Sequence, residues 1–432
     1  MDGDDRLGGL LAETKSNAIL SWVFVLVLTV AVANSLFVGS VRWAFFTTAV
    51  VLLILLPPVS FRDPLVMLPW ELLFLVSIPP LWNATLGRPF VTDIPIYLAV
   101  AAVALLIAVE LHRFTPVRMN HTFAIGFVVV TTLAIAGVWN VLQWLSDVYF
   151  GTAFLLDGRS QQAINDAVMI EFIYAAIAGI GGGLVFDWYF RARPRTGSER
   201  TAVPPRPLPV DERERTGRQK LRDRLGISRR RQRQASRAMQ FLLGVILLVG
   251  IVRRDLPTAS NAAIALAITF VPAILERDYD LPMDAGLVLW ITAAVFLHAM
   301  GTAGLYDAIA RWDNLTHALS ASVVAAGGYA IVRAIHLHTD DVYIPPRTTF
   351  VFILLFVLAA GVIWEILEFL IDQSADRLGI DAVLAQHGID DTIVDLLFNI
   401  VGALVVALWG TAYLTDVSRA MSERLDEWFE PP

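Results

Sequence analysis

Cysteine is absent from this chain of 432 residues, and lysine occurs only at Lys15 and Lys220. Without cysteine the chain can form neither a disulfide bond nor a thiolate metal site. Charged residues make up only 17% of the sequence, whereas 56% of the side chains are hydrophobic. Apolar runs of about 20 residues, long enough to cross a bilayer as helices, recur throughout. These proportions exclude an ordinary soluble domain and predict a multi-pass membrane protein.

The apolar runs predict an all-α fold, a polytopic transmembrane helix bundle of about 12 spans. They lack the alternating pattern of barrel strands, and hydrocarbon offers no partner for a free backbone amide or carbonyl, so the spans are expected to be helices. The twelve spans can be drawn at residues 18–38, 42–60, 65–84, 93–112, 121–146, 166–190, 238–254, 258–276, 283–303, 313–335, 348–371 and 391–414.

A polar segment at residues 191–237 separates the sixth predicted span from the seventh and holds 16 basic residues. We interpret it as a solvated cytoplasmic linker rather than an arm that binds nucleic acid or a patch that binds anionic lipid headgroups. With this segment inside, 26 of the 33 lysines and arginines lie on the cytoplasmic side, as the positive-inside rule requires. The sequence therefore predicts a multi-pass protein of the cell membrane with both termini in the cytoplasm.

The sequence also shows the pattern of an internal duplication. The arrangement of polar and apolar residues in Trp139–Asp147 returns 225 positions later in Trp364–Asp372, and the same offset relates Asp166 to Asp391. A nearby offset of 220 relates Asp93 to Asp313 earlier in the two halves. Because each half holds an even number of predicted helices, the two copies are expected to run parallel, related by an axis along the membrane normal.

Three parts follow from this pattern: an N-terminal six-helix repeat at residues 1–190, the basic linker at 191–237 and a C-terminal six-helix repeat at 238–432. The aligned polar positions differ between the repeats. The second carries His317, Glu365, Glu368, Asp395 and Asn399 where the first carries Tyr97, Asn140, Gln143, Ile170 and Tyr174. We interpret the first repeat as a degenerate scaffold and the second as the repeat that carries the polar site.

Polar residues at helical spacing mark the last three predicted spans. On each span they recur three or four positions apart, so they share one helix face. The residues concerned are Asp313 and His317, Glu365 and Glu368, and Asp391, Asp395 and Asn399. In the predicted topology all three sets lie at the extracytoplasmic ends of their helices. An ionised carboxylate in a membrane costs several kcal/mol unless it is paired, hydrated or ligated, so we expect one shared polar site.

Two chemical uses suit such a site. Carboxylates with a histidine can ligate a divalent metal ion that activates water, and the ligands expected here are Asp313, His317, Glu365, Glu368 and Asp395. Alternatively, the seven polar residues supply a general acid and base, or carry protons for coupled transport. A third interpretation is a packing network of the same acids with Arg311.

These motifs resemble those of a known family. The patterns around Trp312, Asp313 and His317, around Glu365 and Glu368, and from Asp391 to Ala403 are similar to the YjdF family of uncharacterised six-helix membrane proteins. They are more distantly similar to VanZ-like proteins, which are associated with glycopeptide resistance and usually carry Gln at the position of Glu368. The resemblance covers Trp312 to Leu408 and implies a bundle with clustered polar residues, but no established reaction.

The sequence therefore leaves three alternative functions open. The first is an enzyme that acts on a lipid or cell-envelope molecule, with a divalent metal ion as its cofactor. The second is a proton- or ion-coupled transporter with a site between the repeats, and the third is a non-catalytic membrane scaffold. Membrane lipid is a partner in each, and nucleic acid in none. Walker, dinucleotide and serine-hydrolase motifs are absent, and the oligomeric state is left open.

A second group of potential metal ligands follows the tenth span. His336, His338, Asp340 and Asp341 lie close together in the sequence. In the predicted topology this turn is cytoplasmic, on the face opposite the polar site. We interpret it as an ordinary interfacial loop.

Overall fold

The computed structural model describes residues 2–86, 94–192, 228–339, 341–380, 382, 384, 386–409, 418, 420–422 and 424. Within these residues the regular structure is helical, which confirms the prediction of an all-α polytopic membrane bundle. The helices are α1 (Asp2–Phe37), α2 (Val41–Phe61), α3 (Trp70–Leu86), α4 (Ile94–Phe114), α5 (His121–Phe150), α6 (Gln161–Ala192), α7 (Arg229–Arg253), α8 (Leu256–Ile268), α9 (Val271–Tyr279), α10 (Ala285–Met300), α11 (Tyr306–Ala308), α12 (Trp312–His338), α13 (Pro346–Leu378) and α14 (Ile389–Trp409).

Helices coincide with all twelve predicted spans, and most of them are long and apolar enough to cross a bilayer. In the part of the chain that is described, nine helical segments have the length and hydropathy to do so. The other three predicted spans coincide with α3, α4 and α14. Helix α3 has 17 residues, about 26 Å at 1.5 Å per residue, which is slightly less than the ~30 Å of a hydrocarbon core.

Two boundaries differ from the predicted ones for local reasons. The span predicted at 258–276 contains two helices, α8 and α9, because Pro272 at the start of α9 cannot donate a backbone hydrogen bond. Helix α7 begins at Arg229 rather than at 238, and the hydroxyl of Ser228 accepts a hydrogen bond from the Arg231 amide, which caps it. The end of the predicted linker is therefore helical, while residues 193–227 lie outside the described part.

The described residues fall into two compact units. One is bounded as Met1–Trp139, Ser146–Phe154 and Ile170–Pro194, and the other as Asn140–Leu145, Leu155–Met169 and Arg195–Pro432. The second unit thus includes two short stretches of the N-terminal half, around the end of α5 and the start of α6. The three-part division of the sequence remains a prediction.

In the first unit, α1 packs on α2 and α3, and α3 packs on α4. Polar residues of α1 fix the start of α3: the Asn17 side chain accepts from the Trp70 amide at 3.0 Å, and Ser21 donates to the Leu68 carbonyl at 3.0 Å. Leu28 of α1 and Leu73 of α3 are fully buried. The bond to Trp70 satisfies a backbone amide that a helix start leaves unpaired, and the bond to Leu68 ties the chain before α3 to α1.

In the second unit, α12 packs closely on α14, and both pack on α13. The backbones of α12 and α14 approach at Gly402, where an added Cβ would collide with the Ala318 carbonyl. Small residues permit such an approach, which is the usual basis of helix packing in lipid. The approach brings the polar faces of the two helices together.

Helices α10 and α12 are joined by an irregular segment. A π-helical turn, Gly301–Leu305, follows α10, and Gly304 in it has φ of 123°, a conformation that glycine adopts readily. The ring of Tyr306 lies directly against Gly301, where any side chain would overlap it. The chain can therefore turn Tyr306 back toward α10.

Many large apolar side chains lie on the outside of both units. Leu26, Leu52 and Leu248 are each more than half exposed. In a soluble protein so many exposed aliphatic side chains would favour aggregation, whereas in a membrane protein they face lipid. Their exposure agrees with membrane insertion.

Candidate functional site

The first turns of α12 carry Asp313 and His317. Arg311, just before this helix, has a left-handed backbone with φ of 71°, which ends the irregular segment and redirects the chain. The indole nitrogen of Trp312 donates a 3.0 Å hydrogen bond to the Leu297 carbonyl of α10. The start of α12 is therefore fixed to α10, and both polar side chains share one face.

His317 lies between two carboxylates from different helices. Its Nε2 is 3.6 Å from Asp313 Oδ1 and 3.6 Å from Asp395 Oδ2 of α14. One ligand atom from each of the three residues lies within 4.8 Å of the other two. The His317 and Asp395 side chains are only 12% and 5% exposed. We name these three residues the metal-ligand cluster.

The cluster's donor set and spacing fit a divalent metal ion. Two ligand atoms about 2.1 Å from a tetrahedral ion lie about 3.4 Å apart, close to the separations at His317 Nε2. A direct ionic hydrogen bond would instead be about 2.7–2.9 Å long. Asp395 Oδ1 is also buried with no hydrogen-bond partner among the described residues. Imidazole and carboxylate are the ligands of many zinc and manganese sites.

Asn399 lies one turn beyond Asp395 on α14, and its side chain interacts with the His317 imidazole. It also packs against Gly361 of α13, where a Cβ would lie 2.7 Å from Asn399 Nδ2. Because glycine lacks a side chain, α13 can approach this amide closely. Asn399 thus helps to fix the orientation of the imidazole between the carboxylates.

Glu365 of α13 is 1% exposed and lies outside the metal-ligand cluster. Its Oε2 accepts a hydrogen bond from the Gln386 side chain at 3.1 Å and lies 3.2 Å from the Thr392 hydroxyl. Its Oε1 is buried without a partner among the described groups. The Glu365 and Asp395 carboxyl groups interact electrostatically. The second carboxyl oxygen therefore belongs to the same polar region.

Glu368 is the partner of an aromatic residue rather than a member of the cluster. The indole nitrogen of Trp364 donates to its Oε1 at 2.9 Å. Trp364 also meets the ring of His298 edge to face, with ring centres 6.2 Å apart. Glu368 interacts electrostatically with Asp395 as well. It borders the cluster, and the Trp364 hydrogen bond limits its movement.

Asp391, in the first turn of α14, pairs with His387 in the preceding loop. The His387 Nδ1 lies 3.6 Å from Asp391 Oδ2, and the imidazole is 77% exposed. The nearby Asp391 carboxylate raises the pKa of His387 above its ordinary value of 6.5. This pair forms the exposed edge of the polar region.

A second layer behind Asp313 was not anticipated from the sequence. The Tyr306 hydroxyl is 2.7 Å from His298 Nδ1 and 3.4 Å from the hydroxyl of Thr316, which in turn donates to the Asp313 backbone carbonyl at 2.8 Å. Such groups behind a ligand hold its orientation. His298 and Tyr306 are eight residues apart and meet only because of the π-helical turn, so regular helical spacing did not associate them.

Residues from the N-terminal half also reach this region within the second unit. The Asn165 amide donates to Gln386 Oε1 at 2.7 Å and lies 2.9 Å from the Thr392 hydroxyl. Gln161 donates to Asp390 at 3.0 Å and accepts from its backbone amide at 3.1 Å. Isolated neutral amides gave no signal in the sequence. The site therefore includes parts of the repeat that was interpreted as scaffold.

At the aligned positions of the first unit, the chemistry is different. Tyr97 and Tyr174, which align with His317 and Asn399, stack on one another with ring centres 5.3 Å apart and an interplanar angle of 25°. If the two halves are duplicates, this aromatic pair corresponds to the imidazole and its amide partner. The two phenol rings supply none of the ligand atoms present in the second unit.

The turn that follows α12 does not form a comparable cluster in the described structure. Asp340 lies outside the described residues, and His336 contacts the ring of Tyr343 edge to face, with centres 5.2 Å apart. Where side chains are described, the group suited to a metal ion consists of Asp313, His317 and Asp395. The interpretation of this turn as an ordinary loop stays a prediction.

Comparison with known proteins supports the membrane assignment. Residues 235–416 match the family described as "Predicted membrane protein (DUF2238)", and residues 5–67 match "Domain of unknown function (DUF8268)". A similar protein from Thermotoga maritima, described as uncharacterized, is 28% identical over 179 residues, which is 41% of this chain and 88% of that protein. No solved structure matches the chain.

The first of these matches spans all seven predicted site residues. The YjdF family, whose motifs the chain resembles, belongs to the same group of predicted membrane proteins. None of the matching descriptions names a reaction, substrate or metal. The chain is thus a multi-pass membrane protein whose second half matches a family of unknown function, and the more distant likeness to VanZ-like proteins remains a prediction.

Proposed function

We propose that this chain is a membrane-embedded enzyme that binds a divalent metal ion with Asp313, His317 and Asp395 and acts on a lipid or another cell-envelope molecule. The observation that carries the proposal is the position of His317 Nε2, 3.6 Å from a carboxylate oxygen on each side. Two helices distant in sequence supply these ligands. One of the ligating groups, Asp395, also retains a buried oxygen without a partner.

Charge balance favours a bound cation over an empty acidic cluster. A buried charge without a partner costs several kcal/mol, and more in a membrane than at a protein surface. Among the described groups no arginine or lysine forms an ion pair with Asp313 or Asp395. A divalent ion would compensate these two carboxylates and could polarise a phosphoryl or carbonyl oxygen or activate water.

The proposed location is the extracytoplasmic side of the cell membrane, with both termini in the cytoplasm. It is supported by the distribution of lysine and arginine, most of which lie in the linker and in the turns on one side. Lipid headgroups lie at this depth, so the substrate can approach from within the bilayer.

The proposed duplication of the chain is supported by reciprocal contacts inside the second unit. Gln161 and Asn165 align, at the offset of 225, with Gln386 and Asp390. The observed hydrogen bonds join Gln161 to Asp390 and Asn165 to Gln386. Exchanging the two copies therefore exchanges the two contacts, as pseudo-twofold symmetry requires.

The asymmetry of the aligned sites favours an enzyme over a symmetric carrier. A carrier with two rocking repeats binds its substrate between them, whereas the ligands proposed here all come from the second repeat. A scaffold needs no ligand geometry at all. The spacing around His317 is therefore better explained by chemistry at one site.

Metal titration tests the proposal. Full-length protein in detergent, stripped with a chelator, would be titrated with Zn²⁺ and with Mn²⁺ by calorimetry. We expect one ion per chain and, for Asp395→Asn, a loss of affinity larger than the ~10–100-fold typical of removing a group behind a ligand. Asp376→Asn is the matched control, because this exposed carboxylate lies on α13 away from the cluster.

Turnover is tested with the same variants in vesicles. Metal-loaded protein would be reconstituted with a bacterial envelope lipid extract, and headgroup loss or transfer would be followed by mass spectrometry. A product that requires Asp395 supports the enzyme. Uptake of Mn²⁺ into the vesicles without lipid turnover would reject the enzyme assignment in favour of a transporter. Absence of metal binding would overturn the proposal.

A further inference from the structure

Four buried side chains form a closed ring around one oxygen of Glu365. They are Glu365, Thr392, Asn165 and Gln386, which are 1%, 2%, 0% and 9% exposed. Consecutive members are 3.2, 2.9, 2.7 and 3.1 Å apart, all within hydrogen-bond distance. Because water has little access, the ring must satisfy its polar atoms internally.

The direction of the ring is set at Gln386. Its Nε2 lies 3.1 Å from the backbone carbonyl of Glu365, a group that can only accept. The amide nitrogen of Gln386 must therefore face Glu365, and its Oε1 faces the other way, toward Asn165. A flipped Gln386 would place two acceptors against each other.

The orientations of the Asn165 amide and the Thr392 hydroxyl follow in the same way. Since Gln386 Oε1 accepts, Asn165 must present its nitrogen to it, and Asn165 Oδ1 then faces the hydroxyl of Thr392. An amide oxygen can only accept, so Thr392 donates to Asn165. The observed separation of 2.9 Å is shorter than the 3.2 Å to Glu365, which agrees with this assignment.

A hydroxyl has one proton, so Thr392 has none left to donate to Glu365. Glu365 Oε2 therefore faces a lone pair of the Thr392 oxygen. If Glu365 were ionised, two acceptors would meet in a buried site at a cost of about 1–3 kcal/mol. If Oε2 carries a proton, it donates to Thr392, and every member of the ring is satisfied.

We infer that Asn165 is a positioning residue that, through Thr392 and Gln386, holds Glu365 as a neutral carboxylic acid. The ring leaves Glu365 Oε1 as a buried acceptor without a partner among the described residues. Oε1 is thus suited to a hydrogen-bond donor such as a ligand hydroxyl or water.

This inference goes beyond the proposed function and does not rest on it, because the ring contains no member of the metal-ligand cluster. It also assigns a role to the N-terminal half. Asn165 lies near the start of α6 and aligns with Asp390 of the second repeat. The first repeat therefore supplies an orienting group to a site in the second.

Infrared spectroscopy of the full-length protein in lipid nanodiscs tests the ring. The carbonyl stretch of a protonated carboxyl is separate from that of a carboxylate, and Glu365→Gln identifies the Glu365 band as the one it removes. We expect this band in the wild type, and its loss or shift in Asn165→Ala. Gln162→Ala is the matched control, because Gln162 lies on the same helix, is exposed and bonds only to Asp166 in the described structure.

Substitutions at Thr392 provide a second test should Asn165→Ala fail to fold. Thr392→Ser keeps the hydroxyl and should keep the band, whereas Thr392→Val keeps the shape but removes the acceptor, and should lose or shift it. Absence of a Glu365-dependent band in the wild type, or an unchanged band in Thr392→Val, would overturn the inference. A retained band in a protein that binds no metal would refute only the proposed function.

Discussion

Under the proposed duplication, the polar site and its aligned region in the first unit carry two different chemistries on corresponding helices. The His317 and Asn399 side chains interact in the second unit, whereas Tyr97 and Tyr174 stack at the aligned positions of the first. Both pairs join the fourth helix of a predicted repeat to the sixth. The comparison indicates that the helix contact can be preserved while its ligand atoms are replaced.

Packing at the same helix pair also differs. Gly402 lies so close to the Ala318 carbonyl that a side chain cannot be accommodated, whereas the aligned residue in the first half, Ile177, is 60% exposed. The second unit therefore needs a small residue to bring Asp395 close to His317. The first unit does not need a small residue at this position, because two stacked aromatic rings bridge a wider gap between their helices than a pair of metal ligands does.

Exchanging the central residues is expected to have the largest effect. His317→Tyr removes the imidazole and should abolish measurable Zn²⁺ binding, because the remaining Asp313 and Asp395 form an incomplete ligand set. The reciprocal Tyr97→His should create no new site, since Ile170 stands where Asp395 does. Calorimetric titration of both variants checks the pair; undiminished binding by His317→Tyr would contradict the assignment.

An exchange of packing residues is expected to have a smaller but clear effect. Gly402→Ile forces α14 away from α12 and should lower the free energy of unfolding by about 1–3 kcal/mol, typical of overpacking. The reverse change, Ile177→Gly, should cost only about 1 kcal/mol of helix propensity. Thermal unfolding in detergent would show the difference, and equal losses would rule out the proposed close approach.

The smallest expected effect concerns pH. His387 and Asp391 align with Gln162 and Asp166, and both pairs are in contact. The pKa of His387 is raised above 6.5 in the folded protein, so its stabilisation is fully present below pH 6.5 and is lost as the pH rises through the folded-state pKa. His387→Gln makes the pair resemble the first copy and should remove this pH dependence.

The measurement is the unfolding temperature of the wild type and His387→Gln from pH 5 to 9. At low pH the unfolding temperature of the wild type should be higher than that of the variant, and at high pH the two temperatures should converge. Because the imidazole is mostly exposed, solvent screening keeps the difference small. A constant difference across the pH range would mean that the histidine contributes through packing alone.

The fold was largely predictable because membrane helices require long apolar runs, and every predicted span coincides with a helix. Helix ends were harder to predict: the interruption before Pro272 was not expected within the span at 258–276, and the start of α7 at Arg229 lies inside the predicted linker. Local capping by Ser228 decided the latter. Such end effects depend on a few hydrogen bonds rather than on hydropathy.

The charged residues singled out by their regular spacing lie near one another in the structure, whereas the neutral residues Asn165 and Gln386 were not anticipated. Asp313 and His317 share a helix face, and Asp395 was expected at the same depth. Asn165 and Gln386 carry no charge, and no periodic pattern links them to Glu365. Their contribution comes from tertiary contacts that bring α6 to the start of α14, which a single sequence does not reveal.

The central claim is that His317 and the carboxylates beside it bind one metal ion. X-ray absorption at the zinc edge of the full-length, Zn²⁺-loaded protein tests this most directly. The account predicts an imidazole nitrogen and carboxylate oxygens about 2.0–2.2 Å from the metal, with the imidazole contribution lost in His317→Ala. A spectrum without imidazole, or one unchanged by His317→Ala, would contradict the claim.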